Sequence, residues 1–310
     1  MNFAPELLRK SWFLAGPTAC GKTDVGLLLA DRLKAEIICL DSMTLYRGMD
    51  VGTAKPTRQQ RQMVPHHLVD VIDPDEEFSL AEYVGAAERA CNDVVSRGKV
   101  PLFVGGTGLY LRGVLRGVFE GPQADWAFRH SLEAKANENS PGWLHSQLAS
   151  VDPQSADRLH SNDARRIIRA LEVLHLTGRP LSDQQQQVPL DPAEGPTHVH
   201  WLSPPRDWLY DRIDRRVLQM FDAGLVAEVQ GLVQADETMS RTARQGLGYK
   251  EVISHLEGAA SLPETITAIQ TRTRQFAKRQ HTWFRNLAEC TDVPFTGTES
   301  GEQLVERLLS

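Results

Sequence analysis

The chain has 310 residues, 41% hydrophobic, 24% charged and 7% aromatic, with a formal net charge of −6. That describes one or two ordinary globular domains with a full core and excludes a chain built to span a membrane. Residues 1–9 have neither a long apolar centre nor a processing site, so the cytoplasm is the expected compartment and no membrane partner is expected.

The first predicted strand, residues 11–15, runs directly into Gly16-Pro17-Thr18-Ala19-Cys20-Gly21-Lys22-Thr23, a complete G-x-x-x-x-G-K-T phosphate loop. Its glycines let backbone N–H groups curl around phosphate oxygens, Lys22 supplies a point charge, and the Thr23 hydroxyl suits Mg²⁺. Val25, Leu28, Leu29 and Leu33 follow at helical spacing, so the loop opens a helix whose N-terminal dipole faces the anion. Further apolar runs at 36–40 and 100–104 complete the pattern of a parallel sheet with crossover helices. They end at Asp41-Ser42 and at Gly105-Gly106-Thr107-Gly108. Ligands of open α/β sheets sit beyond the carboxyl ends of the strands, so these turns should converge on one crevice. Asp41 has two readings there: a Mg²⁺ ligand or helix cap, as in a nucleotide hydrolase, or a general base beside a phosphate-bound substrate. Spacing does not separate them.

His66-His67 follow Pro65 without companion ligands and read as structural, as do His198 and His200, which alternate in a strand. Cys20, Cys39, Cys91 and Cys290 lack zinc or disulfide spacing and read as reduced thiols. Between residues 119 and 196 the texture turns helical. Ser161-Asn162-Asp163 open a helix carrying Ile167, Ile168, Leu171 and Leu174, closed by Gly178 and Pro180. Residues 184–187 and the Pro/Gly-rich stretch to Pro196 read as an exit linker. A strand resumes at 199–202 and helices follow. The expected domains are a core at 1–118, an inserted helical subdomain at 119–197, and a second core part with basic helices at 198–310.

The acidic total conceals a segregation of charge. Residues 265–288 hold Arg272, Arg274, Lys278, Arg279 and Arg285 with no acid among them. Their helix has an apolar stripe of Ile266, Ile269, Phe276, Trp283 or Phe284, and Leu287, with Arg274, Lys278 and Arg285 roughly opposite. Arg165, Arg166 and Arg169 lie in the first turns of their own helix, where cations oppose the dipole by a few tenths of a kcal/mol each. Local stability does not explain them; an external polyanion would.

In combination these residues resemble the tRNA dimethylallyltransferase (tRNA isopentenyltransferase) family of bacterial type. The resemblance rests on the phosphate loop, on Asp41-Ser42-Met43-Thr44, and on Tyr46-Arg47-Gly48-Met49-Asp50-Val51-Gly52-Thr53-Ala54-Lys55-Pro56. It continues through Pro65-His66-His67-Leu68, Gly105-Gly106-Thr107-Gly108-Leu109-Tyr110 and Arg165-Arg166-Ile167-Ile168-Arg169-Ala170-Leu171-Glu172-Val173. Gly248-Tyr249-Lys250-Glu251 and Arg274-Gln275-Phe276-Ala277-Lys278-Arg279-Gln280 carry it over nearly the whole chain.

The resemblance implies a P-loop NTPase-like parallel α/β core flanked by helices, with an inserted all-helical subdomain. It implies transfer of a dimethylallyl group from dimethylallyl diphosphate to N6 of the adenosine just 3′ of the anticodon, in tRNAs reading codons that begin with U, releasing pyrophosphate. Asp41, Thr107, Arg216 and Arg212 would form the catalytic set, Asp41 as general base. Gly16, Pro17, Thr18, Ala19, Cys20, Gly21, Lys22 and Thr23 would hold the diphosphate, or a nucleotide such as ATP, with Mg²⁺ on Thr23. The implied contacts to the tRNA anticodon stem-loop are Asp41, Ser42, Met43, Thr44, Thr107, Arg129, Arg165, Arg166, Ile167, Ile168, Arg169, Gln245, Gly246, Leu247, Gly248, Tyr249, Lys250, Arg274 and Lys278. Cys20 stands where the family commonly has a smaller or hydroxyl side chain. The Cys/His set of the eukaryotic zinc finger is missing, so no zinc is expected; the expected state is a monomer. A small-molecule or nucleotide kinase would share the loop, the magnesium and the core, and a non-catalytic RNA-binding adaptor would share the basic helices.

Overall fold

A computed structural model of the chain describes residues 2–185, 187–191, 194–235 and 239–310. Gln186, Pro192 and Ala193, in the expected linker, and Met1, in the segment read for a leader, lie outside the described residues. The chain divides into two compact units, Val118–Val188 on one side and Asn2–Gly117 with Pro189–Ser310 on the other.

The larger unit is built on a parallel sheet of β1 (Trp12–Ala15), β2 (Ala35–Leu40), β3 (His66–His67), β4 (Val100–Gly105), β5 (His198–Ser203) and β6 (Thr291–Pro294), in the order β3-β2-β4-β1-β5-β6. β2 is buried at every position, as the continuous apolar run of a strand covered on both faces requires. The register sets Ala15, Leu40 and Gly105 level with one another, so the turns after β1, β2 and β4 leave the sheet at one edge. In the helix Lys22–Leu33, Val25, Leu27 and Leu29 enter the core, with Leu28 and Leu33 partly buried at its border.

β3 and β6 were not expected from sequence. β3 has only two residues, and β6 buries only Val293 among Thr291–Pro294, so neither offers a period to detect. His66 and His67 are the whole of β3. The His67 ring meets Glu36 at 2.7 Å, Arg97 holds the same carboxylate at 2.7 Å, and the His66 ring meets the Val64 carbonyl at 2.7 Å. In β5, His198 stacks on Trp12 with ring centroids 3.6 Å apart. All four cysteines are free thiols.

The unit Val118–Val188 is helical, with Trp126–Glu138, Trp143–Val151, Pro153–Arg158, Ala164–Thr177 and Leu181–Gln184 packed on Leu132, Leu144, Leu148, Ile167, Ile168 and Val173. Helix Ala164–Thr177 starts where sequence places it: the Asp163 side chain accepts the Arg166 N–H, and the helix ends on Gly178 at φ +69°. On the inner face of the same helix is Glu172, whose side chain is wholly buried. It accepts hydrogen bonds from the Asp125 amide (2.8 Å), from Arg129 through Nε and Nη2 (2.7 Å each), and from Arg169 Nη1 (2.5 Å). Burial alone would raise its pKa, but these bonds outweigh burial and hold it below the usual carboxylate value. Among the described residues no helix is long and apolar enough to cross a membrane.

Candidate active site

Gly16 leaves β1 at φ +152°, and a Cβ there would lie 3.1 Å from the Leu202 carbonyl oxygen. No other residue turns the chain so closely over β5. The loop ends in the helix Lys22–Leu33, whose first amides have no acceptors within the helix. They border an open pocket of about 310 Å³ lined by Ala19, Gly21, Lys22, Thr23, Asp24, Arg212, Arg215, Arg216 and Gln219.

The cations of this pocket turn onto the loop itself. Lys22 Nζ donates to the Pro17 carbonyl (2.7 Å), Arg216 Nη1 to the Thr18 hydroxyl (3.3 Å), and Arg212 Nε to the Ala19 carbonyl (2.9 Å). The Arg212 guanidinium also lies over the Trp208 ring, 4.8 Å from its centroid. Among the described residues none of the three forms an ion pair. Burial lowers the pKa values of Lys22 and Arg216; Lys22 also feels the Arg216 charge. Desolvated cations without a carboxylate are costly, and an arriving anion would remove that cost.

Asp41 begins the turn after β2, and its Oδ1 accepts the Met43 N–H at 2.9 Å. Burial raises its pKa against the opposing pull of the Met43 amide, Lys22, the Thr44 amide and Arg216. The β4 turn is stitched to the same place. The Gly106 and Thr107 amides both donate to the Leu40 carbonyl at 3.1 Å, and Thr107 Oγ1 accepts the Ser42 N–H at 3.2 Å.

Gln280, 4% exposed on the helix Leu262–Arg285, fastens the third side. Its Oε1 accepts the Thr18 N–H at 2.8 Å and its Nε2 donates to the Gly106 carbonyl at 2.8 Å. A Cβ on Gly106 would stand 2.4 Å from that Nε2 and 3.2 Å from the Gly16 carbonyl oxygen. One amide therefore ties the phosphate loop to the turn that carries Thr107. Sequence reasoning gave Gln280 no role, although a signal was present: a polar residue in step with buried Ile269, Ala277 and Phe284. Gln219 was likewise passed over; it lies one helical turn beyond Arg215, which the resemblance left open with Arg212 and Arg216 as a diphosphate contact, on the face that lines the pocket.

The implied tRNA contacts fall into several environments. Asp41, Ser42, Met43, Thr44 and Thr107 lie at the sheet edge just described. Gly246 packs against Met43, since a Cβ there would be 2.6 Å from the Met43 Cε. Beside it Gln245 and Lys250 are exposed, Leu247 is half-buried, and Gly248 and Tyr249 are buried. Arg274 is ion-paired with Asp214 at 2.6 Å and Arg272 with Glu251. Lys278 is exposed and has no partner among the described residues. Of the two aromatic residues left open for the apolar stripe, Phe284 is the buried one. Trp283 faces outward beneath the Arg112 guanidinium, 5.7 Å from its ring.

In the helical unit, Ile167 and Ile168 are core side chains, Arg129 and Arg169 hold Glu172, and Arg166 pairs with Asp163. Arg165 is exposed and without a partner among the described residues.

No group of three or more His, Cys, Asp or Glu among the described residues could hold a metal ion. The donor chemistry at Thr23 nevertheless fits Mg²⁺: a hydroxyl at the mouth of an anion pocket supplies one oxygen, and Mg²⁺ ordinarily completes its shell with phosphate oxygens and water.

An amide cradle at the end of β1, cations over it without an ion pair among the described residues, and a half-buried carboxylate on the neighbouring turn define a P-loop NTPase-like core whose pocket has the chemistry to take a polyphosphate. A family model described as IPP transferase matches residues 44–287. The tRNA dimethylallyltransferase of Rhodopirellula baltica is 43% identical over 313 residues, covering 96% of this chain and 93% of that protein. The tRNA dimethylallyltransferase 1 of Trichlorobacter lovleyi is 46% identical, over 88% of this chain and 90% of that one. Among solved structures, a full-length tRNA isopentenylpyrophosphate transferase from Bacillus halodurans matches with a TM-score of 0.71 at 40% identity, over 97% of this chain and 95% of that chain. A eukaryotic dimethylallyltransferase acting on tRNA matches with a TM-score of 0.75 at 27% identity, over 95% and 77%. The chain belongs to the IPP transferase family, as the resemblance in its motifs implied, and is a prenyltransferase.

Proposed function

We propose that this prenyltransferase moves the dimethylallyl group of dimethylallyl diphosphate to N6 of the adenosine immediately 3′ of the anticodon, in tRNAs reading codons that begin with U. We further place it in the cytoplasm as a monomer that uses Mg²⁺ and no zinc. The observation that carries the reading is the juxtaposition at the sheet edge. Among the described residues Lys22 and Arg216 have no carboxylate partner, and Asp41 stands in their field with a raised pKa and an ion pair to neither.

The diphosphate suits the cradle of residues 16–23, where Lys22, Arg216 and Arg212 would neutralise charge growing on the departing oxygen. Mg²⁺ held by Thr23 would add Lewis-acid stabilisation to the same leaving group. The exocyclic amine of adenosine is a weak nucleophile that becomes acidic only as it bonds to carbon. A carboxylate that takes its proton in the transition state is therefore the fitting base, a role we assign to Asp41. One N–C bond forms, one C–O bond breaks, the proton goes to Asp41 and pyrophosphate leaves. Burial raises the pKa of Asp41, which suits a carboxylate that has to take up a proton in the transition state. Extracting the adenosine from its stack costs a few kcal/mol, which contacts to neighbouring nucleotides must offset. Exposed Arg165, Lys250 and Lys278 have the charge for that.

The test is incubation with Mg²⁺, unmodified tRNA and dimethylallyl diphosphate. The expected result is pyrophosphate released in step with a five-carbon unit gained by one adenosine, read by mass spectrometry of tRNA digests. ATP-dependent phosphorylation of a small molecule, with no prenylated adenosine, would replace this reading with a kinase.

A further inference from the structure

We propose that Glu228 is a positioning residue for tRNA: its carboxylate locks the segment that follows Asp41 to the turn that carries residues 245–250, making one surface of the two. Glu228 lies on the helix Leu225–Gln234, remote in sequence from both. Its Oε2 accepts the backbone N–H groups of Asp50 (2.9 Å) and Val51 (2.7 Å), and its Oε1 accepts that of Gly52 (3.2 Å) and the Tyr249 hydroxyl (2.6 Å). Four donors fill the lone-pair sites of a carboxylate.

The two segments touch at two places. Met43 meets Gly246, and Tyr249 covers Gly52 so closely that a Cβ on Gly52 would lie 2.5 Å from its ring. Glu228 fastens the second contact, and the first holds Met43, next to Asp41 and Ser42. The segment needs fastening, because Ala54, Leu68 and Asp70 have left-handed φ values of +48°, +60° and +55° without being glycine. Such strain persists only where the surroundings over-determine it. Buried Lys55 braces the far side through Asp50, Asp70 and the Tyr46 carbonyl, each at 2.6 Å. Glu228 braces the side that meets Tyr249. None of its partners belongs to the phosphate loop, so its loss should be felt by tRNA and spared by the diphosphate.

The inference rests on reading residues 41–44 and 245–250 as facing tRNA. Its test is Glu228→Gln in the full chain, which keeps the shape but turns an NH₂ donor toward groups that are donors themselves. The expected result is a KM for tRNA raised about tenfold, with inorganic pyrophosphate affinity within about twofold of wild type. Tyr249→Phe removes only the phenolic bond and keeps the ring; it should raise the same KM about threefold, and it decides the matter if Glu228→Gln does not fold. Unchanged KM for tRNA in folded variants, or a parallel fall in pyrophosphate affinity, overturns the positioning role. A wild-type protein that does not prenylate tRNA overturns the underlying reading of function as well. A wild type that prenylates beside unaffected variants overturns the role of Glu228 alone.

Discussion

Arg129 and Arg169 of the helical unit converge on a buried carboxylate, whereas Lys22 and Arg216 at the sheet edge, half-buried beside an open pocket, meet none among the described residues. In the first place charge is spent internally, on holding helices Trp126–Glu138 and Ala164–Thr177 together through Glu172. In the second it is left uncompensated, at a cost to the folded state that only a visiting anion relieves. A cluster of arginines in a sequence does not distinguish these cases. The position of the nearest carboxylate does.

The largest effect should come from breaking the compensated site. Glu172→Ala strands two guanidiniums and should cost about 3–5 kcal/mol in urea denaturation. The Glu172 pKa is depressed in the folded state, so its stabilisation is present above the unfolded carboxylate value and is lost as pH falls through the folded one. Wild type and variant should therefore converge in acid. Lys22→Met, by contrast, should leave stability unchanged or raise it while abolishing measurable pyrophosphate binding. A Lys22→Met variant as destabilised as Glu172→Ala would erase the distinction.

Next in size is Asp41→Asn, with turnover lower by about two orders of magnitude or more and tRNA affinity within a few-fold of wild type. Protonation removes the base, so wild-type kcat/KM should fall as pH drops through a pKa above the ordinary aspartate value, and the variant should lack that limb. The sign for stability is opposite to that of Glu172. A carboxyl raised in the folded state contributes stability below its unfolded pKa and loses it as pH rises through the folded one, so the variant should melt no lower than wild type at neutral pH.

The smallest effect separates free from engaged cations. Removing the charge of exposed Arg165 or Lys278 should reduce the slope of log affinity for tRNA against log salt by about one. A tRNA affinity insensitive to salt would return both residues to ordinary solvated surface.

The sheet and the phosphate loop were legible because both are written locally. A buried parallel strand is an apolar run, and the loop is a fixed spacing of glycines, lysine and threonine that only a tight anion-facing turn explains. Asp41 was legible by position, at the end of such a run. What escaped were long-range pairings of polar groups. The Glu172 carboxylate sits three residues from Arg169, yet nothing in that spacing says it is buried or that Arg129 reaches it from another helix. Gln280 and Glu228 spend their hydrogen bonds on backbone groups more than 170 residues away, and no periodicity encodes that. Short edge strands failed for a simpler reason: with two and four residues, β3 and β6 carry too little burial to leave a pattern.

The central claim is that the anion cradled at the start of the helix Lys22–Leu33 is the leaving group of an alkylation. A crystal structure with an unreactive dimethylallyl diphosphate analogue tests it most directly. The account predicts diphosphate oxygens on the amides of residues 19–23, Lys22 and Arg216 turned away from Pro17 and Thr18 to meet them, and the allylic carbon facing Asp41. A headgroup bound away from this loop, with Lys22 still on the Pro17 carbonyl, would contradict it.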